Sequence, residues 1–288
     1  GRILEFAFKR IGQGHSEVGV KTYVYNLRNL MKNGADLYDP ESVKEAIARK
    51  KVSNRTKAII VNSYSAFLDF LGGKWEKPEY TYAQKTPFIP LETEIDQLVA
   101  GCSRTVGTFL ETAKETGARK GELARLKWTD VDFERKIIRI NEPEKDSNAR
   151  QIKVSQKLLE MIKGLPRKSV RVFNNIKTIN QEFFRQRKRV AYKLRNPRLQ
   201  SISFHTLRHW KGTMEYHKTK DIMHVMYVLG HKKIQNTLIY VNLEAAIFQD
   251  GSDEFHVKVA ENPEEIKALL EVGFEYVCQN GELLFFRK

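Results

Sequence analysis

Residues 77–90, KPEYTYAQKTPFIP, hold three prolines in fourteen positions and show no helical period. Proline fixes φ and lacks a backbone N–H, so neither a regular helix nor an interior strand runs through such a stretch. The chain is therefore expected to form two bodies joined by an extended linker. On the N-terminal side, residues 1–76 read as helical. From Thr22 to Leu37 the apolar positions Tyr23, Val24, Leu27, Leu30 and Met31 keep an amphipathic helix spacing, with Asn33-Gly34 as the stop. Asp39 caps and Pro40 opens a helix that runs to about Arg49. Ser53 starts another, carrying Ala58, Ile59, Val61, Tyr64, Phe67, Leu68 and Leu71, which ends at Gly72-Gly73.

Past the linker, helices are expected from Leu91, over Thr105–Glu115, and from near Lys120. Residues 135–154 change character. RKIIRI and RQIKV alternate and are rich in β-branched residues, and the polar NEPEKDSNA lies between them, a strand–turn–strand signal. Helices resume after Ser155, Thr178, His205 and Ile234. The last 39 residues read as a strand, a helix and a hairpin about Asn280-Gly281. The expected class is mainly α with a small β-sheet. Its parts are a helical domain over 1–76, a linker over 77–90, a larger α+β domain over 91–249 and a C-terminal module over 250–288.

Charge narrows the partners. The chain has 50 Lys+Arg against 35 Asp+Glu, a net +15, and a pI near 9.6. Such an excess favours a polyanion, most often nucleic acid, over lysines with no dedicated partner. Residues 250–288 run the other way, with nine acidic and four basic residues, so this acidic tail is not expected to face a nucleic acid. No run of about 18 apolar residues suggests a membrane span, and no signal peptide is visible. A cytoplasmic, DNA-associated location follows as an expectation. The first residue is Gly1 rather than Met, which suggests trimming or processing at the start. Cys102 and Cys278 fit no metal or redox spacing and read as reduced thiols. There is no GxxxxGK[ST] loop and no cluster of paired carboxylates, so neither a nucleotide cofactor nor a metal is expected.

Five places carry chemistry. In TGARKGELARLKW, Gly117 allows a tight turn and Arg119 starts a helix, a good place for a phosphate clamp. By itself, Arg119 with Glu122 three residues on reads as a surface ion pair. Lys145 sits in the turn of the strand pair, where it could protonate a leaving oxygen or simply be solvated. His205 and Arg208, in HTLRHWKGT, share a helix face and could meet one anion together, with Arg119 as a second guanidinium. LGH at 229–231 precedes a short loop, and Tyr240 follows His231 by nine residues. A lone tyrosine on an apolar helix is usually core, and a lone histidine usually structural.

Taken together, and in this order, Arg119, Lys145, His205-x-x-Arg208, His231 and Tyr240 resemble the active site of the tyrosine recombinases, the phage-type integrases among them. The local wording is similar too: T-G-x-R-x-x-E-L, H-x-L-R-H, and L-G-H with tyrosine nine residues on. The resemblance spans roughly residues 90–245 through motifs and 1–76 through helical layout. The tail, ending FEYVCQNGELLFFRK, resembles that of archaeal virus and plasmid integrases. One departure is Gly121, where many relatives carry Ser.

The resemblance implies an N-terminal core-binding domain, a catalytic domain, and site-specific recombination of duplex DNA. It assigns Tyr240 as nucleophile, leaving a 3′-phosphotyrosyl link and a free 5′-hydroxyl without metal or ATP. Arg119, Arg208 and His231 would stabilise the charged transition state, His205 would accept the phenol proton, and Lys145 would protonate the departing oxygen. Four protomers on two duplexes are implied. A type IB topoisomerase-like relaxing enzyme would use the same residues with one protomer, and a non-catalytic DNA-binding regulator would have no need of Tyr240. From 181 to 211 there are nine basic residues and one acidic, with aromatics interleaved. Arg185, Arg187, Lys188, Arg189, Lys193, Arg195, Arg198 and Lys211 are expected to bind backbone phosphates, the alternative being a solvated helix face.

Overall fold

A computed structural model describes residues 1–288 except Gln84, Lys145, Asp146, 249–256, Glu282 and Lys288; the side chains of Val257, Asn280 and Arg287 are also not described. The chain divides into two compact units, residues 1–86 and 87–288.

The first unit is built from α1 (Arg2–Gly12), α2 (Glu17–Lys32), α3 (Pro40–Arg49) and α4 (Asn54–Leu71). Capping side chains set the boundaries. Ser16, Asp39 and Ser53 each accept a backbone N–H of the following turn, and Gly72 ends α4 in the left-handed region at φ 80°. The Asp39-Pro40 start and the Gly72 stop are those expected. Helix α2 begins five residues before Thr22, because Ser16 supplies a cap outside the apolar pattern. The apolar faces bury Phe6, Leu27, Leu30, Ile47, Tyr64 and Phe67. The described residues of 77–90 have no regular structure. Trp75 and Tyr80 pack back on the core of the first unit, and Asn54 Nδ2 donates to the Thr81 carbonyl at 2.9 Å.

The second unit opens with α5 (Glu92–Gly101), α6 (Arg104–Thr116) and α7 (Lys120–Arg125). A three-stranded antiparallel sheet follows: β1 (Val131–Asp132), β2 (Ile137–Ile140) and β3 (Arg150–Lys153), in that order. The alternation of β2 and β3 turns Ile138, Ile140 and Ile152 inward, with Ile138 opposite Ile152. The same alternation turns Arg150 inward. Then come α8 (Gln156–Lys163), α9 (Ile176–Lys193), α10 (Phe204–Thr219), α11 (Ile222–Leu229) and α12 (Gln235–Phe248). Helix α9 starts two residues before Thr178, capped by Asn175, and α10 starts before His205, capped by Ser203. Helix α11 has no counterpart in the sequence reading: IMHVMYVL is apolar nearly all round, so its buried face of Val225, Val228 and Leu229 does not stand out against polar neighbours. The core gathers Phe109, Leu123, Ile138, Leu159, Phe183 and Leu207.

The tail holds β4 (Val257–Ala260), α13 (Pro263–Glu271), β5 (Glu275–Asn280) and β6 (Leu283–Arg287), with β6 paired between β4 and β5. Ala260, Phe274 and Phe286 form its small core. Among the described residues, no helix is long and apolar enough to cross a membrane.

Candidate active site

The site grows from three helix ends. Helix α6 stops at Gly117, in the left-handed region at φ 60°. A side chain there would strain the backbone and set its Cβ 2.8 Å from Leu229. The tight turn leaves Arg119 as the residue capping α7, its backbone N–H bonded to Glu122 at 2.9 Å. Helix α11 likewise stops at Gly230, φ 71°, which turns the chain into His231. Arg208, on α10, joins these two ends. Its Nη1 donates to the Gly117 carbonyl at 2.7 Å and its Nη2 to the Leu229 carbonyl at 2.6 Å. The free carbonyls of a helix C-terminus carry partial negative charge, so a guanidinium placed between two of them is stabilised by both. Arg208 is 2% exposed. Burial, then the nearby Arg119, lowers its pKa to about 10, so it keeps its charge at neutral pH.

Arg119 is mostly shielded as well. Its Nη1 donates to Glu122 Oε1 at 3.2 Å, to the Glu144 carbonyl at 3.3 Å and to Ser147 Oγ. The surface ion pair that the sequence suggested is corrected here. Glu122 is buried, and its main partner is Arg150 at 2.7 Å, both side chains being fully shielded. Burial pushes the Glu122 carboxyl up, but the hydrogen bond and charge of Arg150, with the backbone N–H groups of Arg119 and Glu144, outweigh it and hold the pKa at about 2. Lys145 lies outside the described residues. Its neighbours Glu144 and Ser147 both accept from Arg119, and Asn148 N donates to Gly230 O at 2.9 Å, so the β2–β3 turn is tied to both Arg119 and the His231 turn. Gly121 also finds a reason. A Cβ there would meet Glu144 Oε1 at 1.8 Å, so the glycine makes room for that carboxylate.

Helix α12 packs on α10 and brings in Tyr240. The phenol ring lies over Gly212 so closely that a Cβ would sit 2.6 Å from it. Tyr240 is 2% exposed, in a small cluster with Val225, Leu229 and Leu243. Burial raises its pKa to about 12, against the pull of Arg208 and Arg119. The His231 ring runs parallel to it, 6.4 Å between centroids and 9° between planes. Burial, then the charges of Arg208, Arg119 and Arg150, lower the His231 pKa to about 3, so this imidazole is neutral in ordinary solution. Its Nδ1 lies 2.9 Å from Thr237 Oγ1.

His205 is exposed at the start of α10. Its ring is 4.6 Å from that of His209, and the His209 ring is 5.9 Å from that of Tyr240. His209 Nδ1 is buried without a hydrogen-bond partner; burial, then His205, lowers its pKa to about 4. Arg119, Arg208, His231 and Tyr240 thus surround one locus, with His205 two rings away from the phenol. The sequence reading passed over Glu122 as a support, Arg150, His209 and Thr237. His209 stood in the quoted H-x-L-R-H, and Arg150 stood at an inward position of an alternating strand. Among the described residues, no group of three or more His, Cys, Asp and Glu could hold a metal ion.

The basic run divides in two. Arg187 is half-buried over Phe183 and Phe184 and donates to the Ile202 carbonyl. Arg185 pairs with Glu182, Arg198 with Glu94 and Lys211 with Glu215; Arg189 donates to the Gly101 carbonyl at 3.0 Å. Lys188, Lys193 and Arg195 are exposed beside Tyr192 along a shallow concavity. Arg187 in particular serves the fold, because its aromatic and carbonyl contacts hold α9 to the segment before α10.

A profile of the phage integrase family matches residues 91–246. Tyrosine recombinase XerA of Saccharolobus solfataricus is 23% identical over 204 residues, covering 69% of this chain and 67% of that protein. Among solved structures, Tn1549 transposon integrase in complex with transposon right end DNA superposes with a TM-score of 0.62 at 14% identity, over 86% of this chain and 99% of that one. A lambda integrase dimer bound to a COC′ core site gives 0.62 at 14%, over 88% and 97%. XerH site-specific recombinase bound to palindromic difH substrate gives 0.60 at 18%, over 81% and 79%. These likenesses concern the fold.

Proposed function

The chain belongs to the phage integrase family, and from that premise we propose that it is a site-specific DNA recombinase whose Tyr240 cuts and rejoins duplex DNA through a 3′-phosphotyrosyl intermediate. The observation that carries the reading is the phenol of Tyr240 held over Gly212 and parallel to the His231 ring, in the field of the buried Arg208 and the partly buried Arg119 guanidinium groups. A tyrosine kept only for packing has no use for that charge.

Chemistry at a phosphodiester begins with binding. Arg208 uses two of its five N–H groups on carbonyls, which leaves three for a phosphate. Arg119 is pre-aimed by Glu122, Glu144 and Ser147. Neither guanidinium needs reorienting when negative charge builds up on the five-coordinate phosphorus, and that preorganisation lowers the barrier. The phenolic oxygen attacks phosphorus while its proton passes to His205, which must close on the phenol past the His209 ring when DNA binds. The bond from phosphorus to the 5′ oxygen breaks, and Lys145 supplies the proton that this oxygen needs. A phenol at about 12 is a weak nucleophile until that proton leaves. The strand ester becomes a tyrosyl ester, so rejoining is the same step reversed and consumes no nucleotide. Double-stranded DNA is the partner, and exchange between two duplexes takes four protomers.

The test uses a nicked suicide duplex carrying a sequence selected by this chain from a random pool. The wild-type chain is expected to form an SDS-resistant adduct, in the presence of chelator as well, and Tyr240→Phe to bind the duplex and form none. An adduct with Tyr240→Phe, or loss of cleavage in chelator, would overturn the assignment. A supercoiled plasmid with and without two such sites separates exchange from simple relaxation.

A further inference from the structure

His231 and Thr237 lie on different elements, one on the turn after α11 and the other in the first turn of α12. Their side chains meet at 2.9 Å between Nδ1 and Oγ1. Both residues are buried, Thr237 fully. Thr237 also stands three residues before Tyr240, so hydroxyl and phenol share one face of α12.

The direction of this bond can be reasoned out. A threonine inside a helix usually spends its hydroxyl on the carbonyl four residues back, as Thr108, Thr112 and Thr116 do on α6. Thr237 stands in the first turn, where the carbonyl four residues back belongs to Lys233, before α12, and it makes no such bond; among the described residues, its only side-chain partner is His231. If Nδ1 carried the proton, the threonine hydrogen would be buried with nothing to accept it. If the hydroxyl donates, every hydrogen at the contact is used, and the single N–H of the neutral imidazole is on Nε2. Burial, then the guanidinium groups of Arg208, Arg119 and Arg150 and the ring of His209, disfavour a second proton on His231, so the tautomer decides which nitrogen can donate.

We propose that Thr237 is a positioning residue for His231: its hydroxyl donates to Nδ1, fixes the tautomer that carries hydrogen on Nε2, and so makes His231 a donor to the scissile phosphate. The nucleophile and the donor beside it are then delivered by one helix. This inference rests on the recombinase reading above.

The full chain, labelled with 15N in histidine, tests the tautomer directly. The His231 resonances are identified by their loss in His231→Asn. Wild type is expected to show hydrogen on Nε2. Thr237→Val, close in shape, is expected to shift His231 toward the Nδ1–H form and to slow single-turnover cleavage of the suicide duplex by roughly tenfold or more, with duplex affinity unchanged. Thr237→Ser is expected to restore both. Hydrogen on Nδ1 in the wild type, an unchanged tautomer or rate in Thr237→Val, or failure of Thr237→Ser to restore them would each overturn the proposal. Absence of any adduct with the wild type would sink the recombinase reading instead, while the spectra of the free protein would still decide the role of Thr237.

Discussion

Glu122 and Arg150 meet at 2.7 Å with both side chains fully shielded from water. The carboxylate also accepts the backbone N–H groups of Arg119 at 2.9 Å and Glu144 at 3.2 Å. The Arg150 guanidinium lies beneath Gly230, where a Cβ would come within 2.9 Å of Nη1. One buried pair therefore supports the helix start that aims Arg119, the β2–β3 turn and the turn that presents His231.

Glu122→Ala leaves the Arg150 charge buried with no counter-ion. Breaking such a pair from one side costs about 3–5 kcal/mol. Urea unfolding of Glu122→Ala is expected to show a loss of that order. Adding Arg150→Met recovers only part of it, because two backbone N–H groups still lack their acceptor. A loss below about 1 kcal/mol in the single variant would mean the pair does not hold the site together.

Gly212→Ala acts on Tyr240, the proposed nucleophile, alone. The added methyl would stand 2.6 Å from the Tyr240 ring, far inside van der Waals contact, so the ring must move. Displacing a reacting group by about 1 Å costs on the order of 10²-fold in rate. Adduct formation by Gly212→Ala is expected to fall by that factor while Arg119 and Arg208, the arginines proposed to bind phosphate, and hence DNA affinity, are untouched. Wild-type rates in this variant would show that the phenol does not react from the place it occupies here.

Much of this was legible in the sequence because the signals are local. Ser53, Asp39 and Gly72 announce helix ends whatever the helices pack against. The order of Arg119, His205, Arg208, His231 and Tyr240 carries a resemblance that needs no coordinates. What was not legible depends on which faces turn inward. Arg150 alternates with Ile152 and Val154, so its inward position was implied, but its partner Glu122 lies 28 residues away and only the folded β2–β3 turn joins them. Thr237 reads as an ordinary helical threonine until His231 is seen beside it. Arg187 and Lys188 are neighbours of equal charge in the sequence, yet the turn of α9 buries one against aromatics and leaves the other in water.

The buried titratable groups predict acid sensitivity. His231 at about 3 and His209 at about 4 sit below the usual value of 6.5, and Glu122 at about 2 sits below 4.5. As pH falls below 6.5 the unfolded chain takes up protons on these histidines that the folded chain refuses. Below about 4.5 it does so on Glu122 too. Each depressed group therefore contributes stability that is complete above its ordinary pKa and is lost as pH falls toward its folded one. Denaturation at about pH 7, 5 and 4 is expected to show stability falling by a few kcal/mol, with His231→Asn flattening the slope. Equal stability at the two ends of that range would contradict the placement of these side chains.

The divided basic run gives a prediction about DNA. Removing one cation that neutralises a duplex phosphate makes the slope of log affinity against log salt shallower by about 0.9. Lys188, Lys193 and Arg195 are exposed, and among the described residues no hydrogen bond or ion pair holds their side chains. Replacing all three with Ala is expected to lower the salt slope by about 2–3 and weaken binding to every duplex alike, leaving the unfolding midpoint unchanged. Arg187→Ala is expected to do the reverse. It removes the packing on two aromatic rings and the bond to the Ile202 carbonyl, so it should lower stability by about 1–3 kcal/mol and leave the salt slope alone. Titrations by fluorescence anisotropy across about 50–300 mM salt, beside urea melts of the same variants, separate the two roles (the range spans the physiological value). If Arg187→Ala changed the slope as much as the triple variant, the half-buried arginine would be a phosphate ligand after all, and the concavity beside Tyr192 would lose its claim to the DNA backbone.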